Sequence, residues 1–160
     1  MTKNASHPWQ LRVAEPADAT RLIPMMAAFN AAESIIVDDE LLASALARLL
    51  RDHELGRVWF ILGPSIERHD VIGYAVLTFG YDLEFAGRDA FLTEIYVAPG
   101  ARGGGYGRSA LAAIEHAASA LGVRAIHLMV RPENAIARSL YESSGYEAPP
   151  RILLSKRLGT

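Results

Sequence analysis

The chain has 160 residues, 51% of them hydrophobic and 21% charged, a length and balance that close one core and leave little room for a second. Its 16 Lys and Arg against 18 Asp and Glu give a net charge of −2, which argues against the basic footprint of a nucleic-acid binder, and the lack of cysteine excludes disulfides, thiolate metal sites and a cysteine nucleophile. His7, His53, His69, His116 and His127 show no paired metal-ligand spacing, and neither a signal region nor a membrane-length apolar run is present, so the expectation is one cytoplasmic domain over residues 1–160 without metal, nucleic-acid or membrane partner.

Residues 9–13 alternate as a short strand, and Glu15-Pro16-Ala17-Asp18 then opens a helix with proline and acids in its first turn. Leu22, Met25, Met26 and Phe29 continue it at helical spacing, with Pro24 as a kink point. A second helix is predicted from Asp39 to Leu50, with Leu42, Leu46, Leu49 and Leu50 on one face, and Gly56 ends that region. Residues 58–62 read as a strand bounded by Gly63-Pro64, and residues 71–79 as a longer one after a polar turn at 67–70. Residues 85–89 read as a hairpin tip leading into a strand at 91–97. An alanine-rich helix follows to Leu121, stopped by Gly122, and residues 125–130 form the next strand. Asn134 caps a helix running to Ser144 and ended by Gly145, and residues 152–158 are predicted to form a last strand after Pro149-Pro150. This alternation implies an α/β fold, a mixed sheet with helices on its faces.

The most informative stretch is Arg102-Gly103-Gly104-Gly105-Tyr106-Gly107, set between a strand and a helix start. Glycines without Cβ atoms let backbone N–H groups converge, and the helix N-terminus adds the positive end of its dipole, which together suit a phosphate. A nucleoside-triphosphate loop fails on this sequence, because Arg108 stands where lysine is needed and Arg102 where the first glycine belongs. The dinucleotide pattern is met formally from Gly105 to Ala110, but six residues from Pro99 to Gly104 separate it from the strand, and the next strand ends at Val130-Arg131 without an acid.

Arg102-x-x-Gly105-x-Gly107, preceded by Ile95-Tyr96-Val97-Ala98-Pro99, resembles the acyl-CoA signature of the GNAT superfamily of N-acetyltransferases. The resemblance continues through Val130-Arg131-Pro132-Glu133-Asn134 into Ala137-Arg138-Ser139-Leu140-Tyr141 and the closing Gly145-Tyr146, and covers residues 71–158 most clearly. It implies a single-domain GNAT-like fold: a mixed, mostly antiparallel sheet splayed between its fourth and fifth strands and flanked by about four helices. It also implies acetyl-CoA as acyl donor, with the pyrophosphate held by Arg102, Gly103, Gly104, Gly105, Tyr106, Gly107 and Arg108. Ile95, Tyr96 and Val97 would bind the pantetheine arm through their backbone, and Asn134 and Tyr141 would also address the donor.

By the same resemblance Tyr141 is the candidate general acid and Glu94 the candidate base or water holder. Read from the residues alone, Tyr141 is equally a core residue of its helix, Asn134 a plain cap, and Glu94 an edge or ion-paired position. Alternation places Glu94 on one face with Leu92 and Tyr96. Glu33, Asp38, Asp39, Glu40, Asp82, Glu84 and Asp89 gather where the family admits its acceptor, which points to a small cationic amine of polyamine, aminoglycoside or basic amino acid type, or else to ordinary surface charge diluted by Arg88. Tyr74, Tyr81 and Phe85 are candidate pocket walls. The other readings are a non-catalytic acyl-CoA-binding or sensing module and acetylation of a protein N-terminus or lysine. Family analogy allows a homodimer.

Overall fold

Alternating apolar residues, punctuated by turn formers, produce a five-stranded sheet in the computed structural model, which describes residues 10–63 and 70–159. His7, Trp9, Pro64, His69 and the turn at 67–69 lie outside the described residues. The strands are β1 (Gln10–Val13), β2 (Gly56–Leu62), β3 (Val71–Asp82), β4 (Gly87–Val97) and β5 (Ala125–Leu128). They lie in the order β1-β2-β3-β4-β5, antiparallel throughout except for the parallel β4–β5 pair. The helices are α1 (Ala19–Ala32), α2 (Asp39–Arg51), α3 (Tyr106–Ala120) and α4 (Ala135–Ser143). The chain divides into two compact units, Met1–Met129 and Val130–Thr160.

In the first unit, α1 and α2 cover one sheet face. Leu22 and Met26 of α1 and Leu46 and Leu50 of α2 are buried against Val58, Phe60, Leu62, Tyr74 and Val76, with Leu42 and Leu49 packed beside them. Pro24 lies within an unbroken α1. Asp38 starts α2 by accepting hydrogen bonds from the backbone N–H groups of Glu40 and Leu41 at 2.9 and 3.0 Å, so its charge serves the helix start. Trp59, Ile61, Ala75 and Leu77 alternate with the first set and bury the opposite face, where α3 lies against β4 and β1 through buried Ala110, Leu111, Ile114 and Ala118.

The hairpin tip expected at 85–89 lies earlier. β3 runs to Asp82, where its Oδ1 accepts from the Glu84 N–H at 2.8 Å, and β4 already begins at Gly87. The turn chemistry belongs to Asp82, and Arg88 and Asp89 are strand residues paired with Tyr81 and Gly80.

In the second unit, Asn134 Oδ1 accepts from the Ala137 N–H at 3.1 Å and caps α4. The helix ends in a Schellman motif: Gly145 takes φ +92°, Tyr146 N–H donates to Tyr141 O at 3.0 Å, and Gly145 N–H donates to Glu142 O at 3.1 Å. The accompanying side-chain contact is the edge-on pairing of the Tyr141 and Tyr146 rings, with centroids 5.8 Å apart. The predicted strand at 152–158 does not form: residues 151–159 carry no strand, and Ile152, Leu153, Leu154 and Leu158 are exposed. Apolar residues favour a strand only where a partner supplies a ladder, and the two prolines before this segment donate no N–H.

Candidate active site

The site is set by a change of strand partner along β4. From Asp89 to Leu92 this strand pairs with β5, from Ala125 to Leu128; β5 then ends while β4 continues through residues 93–97 with β3 alone. The sheet is therefore open on one edge of β4 for five residues, which is the splay expected between the fourth and fifth strands.

A β-bulge lies at the same point. Leu92 opposes Leu77 and Glu94 opposes Val76, so Thr93 is the extra residue and is exposed. This corrects the expected alternation. Leu92 faces α3's side with Leu77, whereas Glu94 shares the α1 and α2 side with Val76, Tyr74 and Tyr96. One inserted residue moves the carboxylate to the other face of the sheet.

Glu94 is half-buried there, and its Oε2 accepts a hydrogen bond from the Tyr74 hydroxyl. Burial pushes the Glu94 carboxyl above its ordinary value, and the Tyr74 hydrogen bond partly offsets this by favouring the charged form. Burial, followed by the Glu94 charge, raises the Tyr74 hydroxyl strongly, so it stays protonated and donates. The Tyr74 and Tyr96 rings lie 5.7 Å apart beside the carboxylate. Tyr74, expected as a pocket wall, is fully buried and acts as the carboxylate's partner, whereas Tyr81 is 74% exposed.

β4 leads through a 3₁₀ turn (Pro99–Ala101) into the glycine loop. Gly103 and Gly105 take φ of +84° and +78°, values that L side chains rarely adopt, and no atom lies within 4 Å of where a Cβ would stand at either. Space for a ligand group and a backbone turned toward it coincide. The first hydrogen bond of α3 runs from Ser109 N–H to Gly105 O at 3.1 Å, so the backbone N–H groups of Tyr106, Gly107 and Arg108 precede the ladder and head the helix dipole. Arg102 makes local contacts as well. Its backbone N–H is used by Pro99 O at 3.3 Å, and its Nε donates to Val97 O at 2.9 Å with the guanidinium 5.9 Å from the Tyr96 ring. It ties the loop to the end of β4.

These features fit an acyl-CoA: an anion cradle at a helix N-terminus, and beside it a strand edge whose backbone groups can accept an extended amide-bearing arm. A family model described as the acetyltransferase (GNAT) family matches residues 22–146. The chain belongs to the GNAT family. It resembles several solved structures. One is an integron cassette protein from the mobile metagenome of Cole Harbour Salt Marsh, 30% identical with a TM-score of 0.80, the match covering 94% of this chain and 91% of that one. Another is a predicted acetyltransferase from Clostridium acetobutylicum solved with acetyl-CoA, 20% identical with a TM-score of 0.76, covering 92% of this chain and 96% of that one. An uncharacterized N-acetyltransferase of Bacillus subtilis, YycN, is 32% identical over 94 residues, which are 59% of this chain and only 58% of that relative.

The residues expected to form the site divide between the units. Glu94, Ile95, Tyr96, Val97 and the loop residues Arg102 to Arg108 lie in the first, where one strand and one helix start bring them together. Asn134 and Tyr141 lie in the second, at the start of α4 and buried near its end, the latter held by the Schellman turn. A cavity of about 490 Å³ lined by Gln10, Leu11, Arg12, Arg21 and Leu62 opens at β1, three strands from β4, and takes in none of these residues. Among the described residues no group of His, Asp and Glu could hold a metal ion, and no helix is long and apolar enough to cross a membrane. Sequence reasoning missed the Tyr74 partnership because it depends on the register of β3 on β4, which shifts at the bulge.

Proposed function

We propose that this GNAT protein transfers an acetyl group from acetyl-CoA to a primary amine by direct attack in a ternary complex. The observation that carries this reading is Glu94: a half-buried carboxylate, held by Tyr74, on the strand that opens its edge and runs straight into the anion cradle. The chain has no cysteine, so no cysteinyl acyl-enzyme forms.

When bound, acetyl-CoA supplies the activated acyl group. The glycine loop and the first turn of α3 would hold its pyrophosphate, and the backbone of Ile95, Tyr96 and Val97 would align its arm. Amines arrive protonated at neutral pH, and Glu94 takes that proton directly or through water, which its raised affinity for protons favours. A strand N–H near Ile95 or Tyr96 would polarise the thioester carbonyl. Tyr141 is the general acid that returns a proton to the leaving sulfur, and Asn134 helps fix the donor. The acceptor is a small cationic amine. Asp38 and Asp82 accept local backbone N–H groups and keep their charge, and Arg88 pairs with Glu54, so the acidic set as a whole supports a cationic acceptor.

The test is incubation of the purified chain with acetyl-CoA and a panel of primary amines, a basic peptide among them, with free thiol measured. Thiol release on small amines supports the reading. Donor binding without release on any amine indicates a sensing module, and release on the peptide alone indicates a protein acceptor.

A further inference from the structure

Three residues back along β4 from Glu94, Phe91 lies on the same sheet face, and the polar side chain of His127 on β5 lies beside it. Phe91 opposes Thr78 on β3 and His127 on β5, and the alternation from Val76 to Thr78 puts Phe91 on Glu94's face. The His127 ring has two aromatic neighbours, with centroids 5.2 Å from Phe85 and 5.3 Å from Phe91. Its Nε2 lies 3.4 Å from Asp89 Oδ2. Asp89 in turn lies across from Gly80, where a Cβ would come within 2.6 Å of Asp89 Oδ1. A glycine makes room for the carboxylate, and that Oδ1 has no hydrogen-bond partner among the described residues.

This arrangement orients the imidazole. Asp89 Oδ2, within ion-pair distance of Nε2, favours a proton on that nitrogen, which leaves Nδ1 as the atom the ring can present, and the two phenylalanine rings flank it. The charge of the pair selects what Nδ1 can meet. With His127 neutral the pair is anionic, and with it protonated the pair is neutral, so in neither state does it draw a carboxylate or phosphate. Ring faces of Phe85 and Phe91 add attraction for a cation. Nearby basic groups do not reverse this: Arg88 turns to Glu54 and the Phe79 ring, and the Arg124 stem lies against Gly87.

We propose that His127, oriented by Asp89 and flanked by Phe85 and Phe91, binds a second ammonium or hydroxyl of the acceptor, roughly 10 Å along the strand from where Glu94 meets the reacting nitrogen. The acceptor is then an extended molecule with two donor groups, a diamine or amino alcohol rather than a simple monoamine. This rests on the amine-acetyltransferase reading above.

The experiment compares α,ω-diamines of increasing length with monoamines of matching length, in wild type, His127→Gln, His127→Asn and Asp89→Asn, with the melting temperature of each variant read alongside. In wild type, KM falls once the diamine is long enough to reach His127. The His127 variants raise KM for those diamines at least tenfold while kcat, and KM for monoamines, stay within twofold. Equal changes for both series, or no change in either, overturn the subsite. A second readout needs no turnover: the His127 ring Cε1–H resonance, followed by NMR without acetyl-CoA, shifts with a long diamine and not with the monoamine. If no amine releases thiol, the transferase reading falls while this titration still reads the site, and an unmoved resonance overturns the subsite as well.

Discussion

The Tyr74 hydroxyl donates to Glu94 across β3 and β4, joining a fully buried phenol to a half-buried carboxylate. The pair couples the acid-base behaviour of the site to the packing of the sheet. If Glu94 is the base, the acid limb of the kcat/KM profile reports its carboxyl and lies above the ordinary carboxylate range. Glu94→Gln should remove that limb and lower kcat by about 10²–10⁴-fold. An unchanged profile ends the assignment.

The Tyr74 hydrogen bond favours the charged carboxylate, so Tyr74→Phe should move the acid limb to higher pH without abolishing turnover. It also leaves a half-buried carboxylate short of a partner, at about 1–3 kcal/mol, which lowers the melting temperature by roughly 2–4 °C per kcal/mol. pH–rate profiles and thermal melts of the same preparation check both.

Stability should carry the same signature with a definite sign. Glu94 has a folded value raised above its ordinary 4.5, so the folded state binds the extra proton between that value and the raised one. The contribution is favourable below about 4.5 and is lost as pH rises through the folded value. Glu94→Gln should therefore gain stability relative to wild type as pH goes from 4 toward neutrality, seen as a melting-temperature difference that widens across that interval. A constant difference would contradict it.

The glycine loop offers a comparison internal to the chain. Gly105→Ala forces an alanine to φ +78° and should cost about 1–2 kcal/mol and weaken acetyl-CoA binding, whereas Gly100→Ala, without positive φ or close neighbours, should leave both unchanged. Calorimetric titration with acetyl-CoA distinguishes them.

Tyr141→Phe should lower kcat at least tenfold with little change in acetyl-CoA affinity. Gly145→Ala, which strains the turn behind Tyr141 at φ +92°, should lower the melting temperature by a few degrees. Equal activity of Tyr141→Phe removes the general-acid role.

Much of this was legible in the sequence because it is carried by local pattern. The faces of α1 and α2, the glycine loop, the Asn134 cap and the Gly145 stop follow from spacing and from the few residues that tolerate such backbone angles. What was not legible depends on register. Thr93 is chemically an ordinary strand residue, yet as the bulge it decides which face Glu94 occupies. The Asp89–His127 pair joins residues 38 positions apart through a four-residue parallel contact, which no periodicity signals. The missing strand at 152–158 shows the reverse: its residues have the propensity, and propensity alone gives no partner.

The open edge of β4 has one more consequence. The groups it offers to a ligand are peptide N–H and C=O, identical for every residue that can occupy a strand, so substitution cannot easily delete them. Recognition through such an edge is written in the course of the main chain rather than in the identity of its side chains. A solved structure 30% identical to this chain keeps its fold over 94% of the length. A main-chain edge of this kind can outlast the substitutions that separate the two sequences, because it needs only that the strand keep its course.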